Sequence, residues 1–113
     1  MTHQLILEQE LFPLMYEGRK EFVMKPYIEE NKNFKDSETI NVQDELTGLF
    51  YTGVITRVSY FNSVDEVFDM YSYKKFLPLS ESKDLAKEEI LKTVNEDDGL
   101  IVFKITRISE ISD

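Results

Sequence analysis

Hydrophobic and polar residues alternate along much of this chain, and the alternation predicts a protein rich in strands. Five segments have strand character: 4–8, 21–27, 39–46, 49–61 and 100–108. Segment 49–61 gives the strongest signal because it is rich in Tyr, Phe, Val, Ile and Thr. Gly53 within it predicts a bulge or a tight bend. Four successive apolar residues, 100–103, indicate a central strand that is covered on both faces.

Three segments have the periodicity and end signals of short helices. The first covers 10–17, with Gly18 at the position where a helix favours glycine after its last turn. The second begins at Ser63, which forms a capping box with Glu66. The third covers 83–94 and has an apolar face at helical spacing.

The predicted order of elements is β-α-β-β-β-α-α-β. Strands dominate, and three helices are too few to cover both faces of a doubly wound sheet. The pattern therefore predicts an α+β fold: a small, mixed, partly closed β-barrel of about five strands flanked by three short helices. The chain contains no repeat and no linker, so 1–113 is expected to form one domain.

Composition and charge exclude several classes of function. The 113 residues are 42% hydrophobic, and 13 basic residues against 22 acidic ones give a net charge of −9. Such a surface repels duplex DNA and anionic membranes. The chain has no cysteine, no secretion-signal pattern at its start and no apolar run near the ~20 residues that span a bilayer. We expect a cytoplasmic protein with no membrane contact, no metal and no cofactor.

The segment 18–25 concentrates positive charge in an otherwise acidic chain. It contains Arg19, Lys20 and Lys25. Cations are stabilised near the C-terminus of a helix, so a solvated turn would explain the first two. The alternative is an anchor for an anionic or carbonyl-bearing ligand at the mouth of the barrel.

The same segment resembles the signature of the ASCH domain family, Gly-x-Lys-x-x-Glu-x-Arg. Gly18 and Lys20 match this pattern, whereas Val23 occupies the glutamate position and Lys25 the arginine position. Lysine is a point charge and lacks the planar fork of arginine, so Lys25 cannot make the same bidentate contact.

Later segments extend the resemblance over almost the whole chain. A second family pattern, Gly-Asp-x-Ile-x-Phe, is echoed in 37–42, where Glu38 stands for the aspartate. Segments 58–68, 76–79 and 99–105 are similar to the family's later strand, capped helix and closing strand.

The resemblance implies a PUA-like barrel that binds RNA or a modified nucleobase in a cleft beside the first motif. Some small members are amidohydrolases that deacylate acetylated cytidine, and for these the resemblance makes Lys20 the catalytic lysine. The nucleophilic threonine of that branch corresponds to Val23, which cannot form an acyl intermediate.

Further residues are candidates for the same cleft. Glu21 and Glu38 could supply carboxylates, and Lys74 could extend a basic rim toward Lys20. Four aromatic residues could stack on bases, with core packing as the alternative: Tyr51, Tyr60, Phe61 and Tyr73. His3 has no acidic partner in sequence and is expected to be a flexible surface residue.

Three hypotheses follow. The first is an ASCH-type domain that recognises RNA, a nucleotide or a modified nucleobase through Arg19, Lys20, Lys25 and nearby side chains. The second is an amidohydrolase acting on acylated nucleosides, with Lys20 as general base. The third is a non-catalytic protein-interaction domain that has kept the barrel and lost the ligand site.

Overall fold

The computed structural model describes residues 2–113, which form five strands and three helices in the predicted order. The elements are β1 (Thr2–Leu7), α1 (Leu11–Tyr16), β2 (Phe22–Pro26), β3 (Thr39–Asp44), β4 (Phe50–Phe61), α2 (Val64–Met70), α3 (Lys83–Leu91) and β5 (Leu100–Arg107). Single turns of 3₁₀ helix cover Glu29–Asn31, Tyr73–Lys75 and Glu96–Asp98.

All five strands belong to one mixed sheet in the order β1-β3-β4-β5-β2. Only β1 and β3 pair in parallel, and the other three pairings are antiparallel. The sheet curls into a half-barrel with β1 and β2 as its two unpaired edges. This confirms the predicted α+β fold and its small, partly closed barrel. The longest helix, α3, has nine residues, and no helix within residues 2–113 could cross a membrane.

Strand β5 is the centre of the hydrophobic core, as its apolar run predicts. Ile101 and Phe103 are fully buried in a cluster on one face, together with residues of β1, β3 and α1. Leu100 and Val102 are fully buried in a second cluster on the other face, with residues of α2 and α3. Because successive side chains of a strand point to opposite faces, a single strand serves both clusters.

The curvature of β4 comes from a bulge whose position differs from the prediction. Arg57 and Val58 together oppose Phe103, and Arg57 has a positive φ of 55°. The backbone N–H of Val58 donates to the Asp36 carboxylate at 3.0 Å. Gly53, the predicted bulge, is paired regularly on both sides. A Cβ there would lie 2.6 Å from Ile105 Cγ2, so Gly53 instead permits a close approach of β5.

The end of α1 sets the direction in which the candidate segment leaves the helix. Gly18 has a φ of 84°, and its N–H donates to the Met15 carbonyl at 3.1 Å. The N–H groups of Arg19 and Lys20 both donate to the Leu14 carbonyl, at 2.9 and 3.1 Å. This is a Schellman-type end, which fixes the backbone as far as Lys20 before β2 begins.

Candidate functional site

A cavity of about 730 Å³ lies along the opening between the two edges of the half-barrel. Its apolar walls include Leu5 and Leu7 from β1, Val23 and Met24 from β2, and Leu85 and Ile90 from α3. The segment 76–81 borders it as well. The cavity has the size of small-molecule sites, its lining combines apolar with charged residues, and it exists because β1 and β2 do not pair.

Lys20 lines this cavity, and its side chain is buried between β2 and the segment that follows the 3₁₀ turn Tyr73–Lys75. Its ammonium donates to the carbonyl of Phe22 at 2.8 Å and to that of Phe76 at 2.7 Å. The N–H of Ile105 in β5 donates to the Glu21 carbonyl at 3.0 Å. Because successive carbonyls of a strand point in opposite directions, the Phe22 carbonyl points away from β5. Lys20 therefore satisfies an edge carbonyl that no strand covers.

Burial dominates the electrostatics of Lys20. No carboxylate within residues 2–113 forms an ion pair with it, and 7% of the residue is exposed. Burial lowers the pKa of its amine from 10.5 to about 7, because the apolar surroundings disfavour the charged form. Near neutral pH, Lys20 is therefore divided between ammonium and free amine.

Lys25 is the other candidate cation that lines the cavity. It lies on β2 and is half-buried, and burial lowers its pKa while the nearby Glu30 carboxylate partly offsets the effect. Lys20 and Lys25 thus both line one cavity.

Glu21 points to a different group of cations. Its carboxylate forms ion pairs with Lys75 and, at 3.3 Å, with Lys104 of β5. The hydrogen bond from Lys75 lowers the pKa of the Glu21 carboxyl. Arg19 and Lys74 are exposed. None of these residues is among those that line the cavity, so the basic rim that Lys74 was predicted to form lies outside it.

Glu38 lies at the start of β3 and contacts His3. The His3 Nε2 atom is 2.9 Å from the Glu38 carboxylate, and the hydrogen bond lowers the pKa of Glu38. The His3 ring stacks on Phe34 with 4.6 Å between ring centroids. His3 is therefore an ordered residue with an acidic partner, and the expectation of a flexible surface histidine is wrong. Glu38 does not line the cavity.

The aromatic candidates have separate roles. Tyr51 is buried against Phe12 and Tyr16, and its hydroxyl finds no hydrogen-bond partner among the described residues. It belongs to the core and cannot stack on a base. Phe61 and Tyr73 pack at the edge of the second hydrophobic cluster.

Tyr60 is the exposed member of the four, with 56% of its surface accessible. Its ring meets the ring of Tyr27 edge-on, with 5.0 Å between the centroids. Neither ring is among the residues that line the cavity. A base held in the cavity would therefore contact aliphatic side chains and Phe76 instead.

Sequence reasoning missed the acidic character of the cavity. Among the described residues that line it, the three cations are Lys20, Lys25 and Lys92, and the five anions are Glu8, Glu10, Glu81, Glu88 and Glu89. The apolar face of α3 could have shown that Glu88 and Glu89 lie outside the core. Only the packing of α3 beside the barrel opening places them at this cavity. Residues 2–113 contain no convergent group of three metal-ligating side chains.

Comparisons with known proteins bear on the fold alone. No family model matches the chain, and no curated protein matches its sequence significantly. The structure is similar to the crystal structure of hypothetical protein PH0355, with a TM-score of 0.80 and 17% identity over 96% of this chain and 100% of that one. It is also similar to the solution structure of protein PF0455 from Pyrococcus furiosus, with a TM-score of 0.75 and 16% identity over 97% and 100%.

Proposed function

We propose that this protein is an ASCH-type ligand-binding domain that recognises a nucleotide of RNA or a modified nucleobase in the cavity between β1 and β2. The observation that carries the proposal is Lys20, a buried cation that lines the cavity with no carboxylate partner among the described residues. Burying such a charge is costly, and a ligand that accepts a hydrogen bond from it would offset that cost.

The charges around the cavity restrict the ligand. Five glutamates against three lysines disfavour several phosphates at once. One base with its sugar suits the apolar walls, and Lys20 and Lys25 are available to its carbonyl or phosphate oxygens. Binding through so few phosphates depends weakly on salt concentration.

Titration with cytidine, cytidine monophosphate, acetylated cytidine and a short oligoribonucleotide tests this proposal. We expect Lys20→Met to weaken the binding of the best ligand by about 10- to 100-fold, because a hydrogen bond to a charged group contributes about 1.5–3 kcal/mol. Lys35→Met is the matched control, because Lys35 is exposed and does not line the cavity. Calorimetry at two salt concentrations measures both effects.

Three results would contradict the proposal. They are no binding at millimolar ligand, equal weakening by Lys20→Met and Lys35→Met, and a steep salt dependence of the binding constant. The third result would indicate that phosphates bind on the exposed basic cluster around Glu21 instead.

One observation favours hydrolysis of an acylated nucleoside as a second function. Burial lowers the pKa of Lys20 to about 7, which suits a general base near neutral pH. Val23 lines the cavity and cannot accept an acyl group, so water would have to attack directly. Incubation with acetylated cytidine should then release acetate at least about 100-fold faster than with Lys20→Ala, since general bases contribute roughly 10²–10⁴-fold. Equal rates for the two proteins would exclude this function.

A further inference from the structure

The Lys20 side chain has the surroundings of a reactive amine. It is buried, its nearest polar partners are two uncharged carbonyls, and no ion pair holds it in the charged form. Lysines that act as nucleophiles are desolvated in this way, because only the neutral amine has a free electron pair. Burial lowers the pKa of Lys20 to about 7, which is consistent with these surroundings.

The hydrogen bonds of Lys20 determine which part of the neutral amine is left free. A neutral amine has two N–H groups and one lone pair. The carbonyls of Phe22 and Phe76 accept the two N–H groups, at 2.8 and 2.7 Å. The lone pair then takes the remaining tetrahedral direction, and Lys20 lines an open cavity large enough for a small molecule.

We propose that Lys20 captures an aldehyde that enters the cavity and holds it as a Schiff base. The inference goes beyond the proposed function, because it requires a covalent bond to nitrogen and does not require a nucleotide. It uses the same cavity, and Lys20 is the only one of the described lysines that is buried and also lines it.

The reaction is a condensation and needs no oxidant or reductant. The lone pair of Lys20 Nζ attacks the carbonyl carbon, a C–N bond forms, and a proton moves from nitrogen to oxygen to give a carbinolamine. Loss of that oxygen as water leaves a C=N bond. Protonation of the Schiff base by solvent supplies one N–H, which can donate again to the Phe22 or the Phe76 carbonyl.

The cavity indicates the kind of aldehyde. The apolar residues that line it are aliphatic apart from Phe76, and its charged residues are mainly glutamates. Anionic aldehydes are therefore disfavoured, and an uncharged aldehyde with an apolar or aromatic body is favoured. Benzaldehyde is a suitable probe of this class.

Reductive trapping on the unaltered protein tests the inference. The protein is incubated with benzaldehyde and cyanoborohydride at about pH 7, and the modified amines are identified by peptide mass spectrometry. At this pH, a lysine with an ordinary pKa has a neutral amine in roughly one of 10³ molecules, whereas Lys20 has one in about half of them. We expect Lys20 to be benzylated at least about 10-fold faster than any other lysine.

Variants and a second probe complete the test. In Lys83→Met, trapping at Lys20 should persist, because Lys83 is exposed and does not line the cavity. In the unaltered protein, a carboxylated benzaldehyde should label Lys20 several-fold more slowly than benzaldehyde. Labelling of Lys20 no faster than of exposed Lys35 would overturn the inference, and this comparison is made within one folded protein. That result would leave the proposed nucleotide site unaffected, because reversible binding needs no reactive amine.

Discussion

Replacement of Phe103 by alanine is expected to lower the free energy of unfolding by about 3–5 kcal/mol. Phe103 is fully buried in β5, and its ring stacks on Phe34 with 4.7 Å between the centroids. It also lies opposite the bulge formed by Arg57 and Val58, where the barrel curves. Alanine would remove the ring and leave a cavity that the curved backbone cannot fill. Since domains have a total free energy of unfolding of about 5–15 kcal/mol, this substitution would remove a large share of it.

Urea unfolding followed by circular dichroism measures this loss as a shift of the midpoint. Ile108→Ala is the matched control, because Ile108 follows β5 directly and 58% of its surface is exposed. We expect the control to change stability by no more than about 0.5 kcal/mol. A loss below about 1 kcal/mol for Phe103→Ala would show that the core is not organised around β5.

The second large effect is a pH dependence of stability that arises from Lys20. Its pKa is about 7 in the folded chain and near the ordinary 10.5 in the unfolded chain. Between these values the unfolded chain holds a proton that the folded chain lacks, so the free energy of unfolding rises with pH. At 1.36 kcal/mol for each pKa unit, the rise is on the order of 5 kcal/mol. This added stability is fully present above about pH 10.5, and it is lost as the pH falls to about 7.

The variant Lys20→Met isolates this contribution. Methionine leaves the Phe22 and Phe76 carbonyls without a donor at every pH, which lowers stability by a constant amount. The difference between the unaltered protein and the variant should therefore grow in favour of the unaltered protein from pH 7 to pH 10. Lys35→Met should follow the curve of the unaltered protein. A difference that stays constant with pH would mean that Lys20 keeps an ordinary pKa in the fold.

The same desolvation connects the stability of the fold with the chemistry proposed for the cavity. Lys20 is costly to keep charged because α1 ends at Gly18 and directs the chain inward before β2 begins. A ligand that accepts a hydrogen bond from the ammonium would raise its pKa, whereas an aldehyde would consume the neutral amine. The two proposals therefore differ in whether the ligand leaves the Lys20 nitrogen unmodified or bound to carbon.

The candidate site was only partly predictable from sequence, and the consecutive residues Arg19, Lys20 and Glu21 show why. The sequence groups them as one charged segment, but each side chain has a different environment. Arg19 is exposed, Lys20 is buried beside the cavity, and Glu21 pairs with Lys75 and Lys104. Residues that follow one another in an extended chain point in alternate directions, so closeness in sequence does not bring side chains into one site.

Contacts between distant segments explain the other differences between the predictions and the structure. Glu38 was grouped with Lys20 because of its motif, but β3 pairs with β1, and this pairing brings Glu38 to His3. The bulge lies at Arg57, between the Thr56–Lys104 and Ser59–Val102 pairs, whereas Gly53 lies where β5 comes close. No local pattern contains either piece of information.

The sequence by itself determined which segments form strands and helices, and also the start of α2 and the end of α1, because these depend on residues within a few positions of one another. The third helix, predicted over 83–94, ends at Leu91. The alternating burial of β3, the Ser63 cap of α2 and the glycine end of α1 are all of this kind. Only the tertiary structure decided that β5 lies between β4 and β2 and that β1 and β2 remain unpaired. These choices depend on packing between distant segments, and they produce the open cavity, its acidic rim and the buried amine of Lys20.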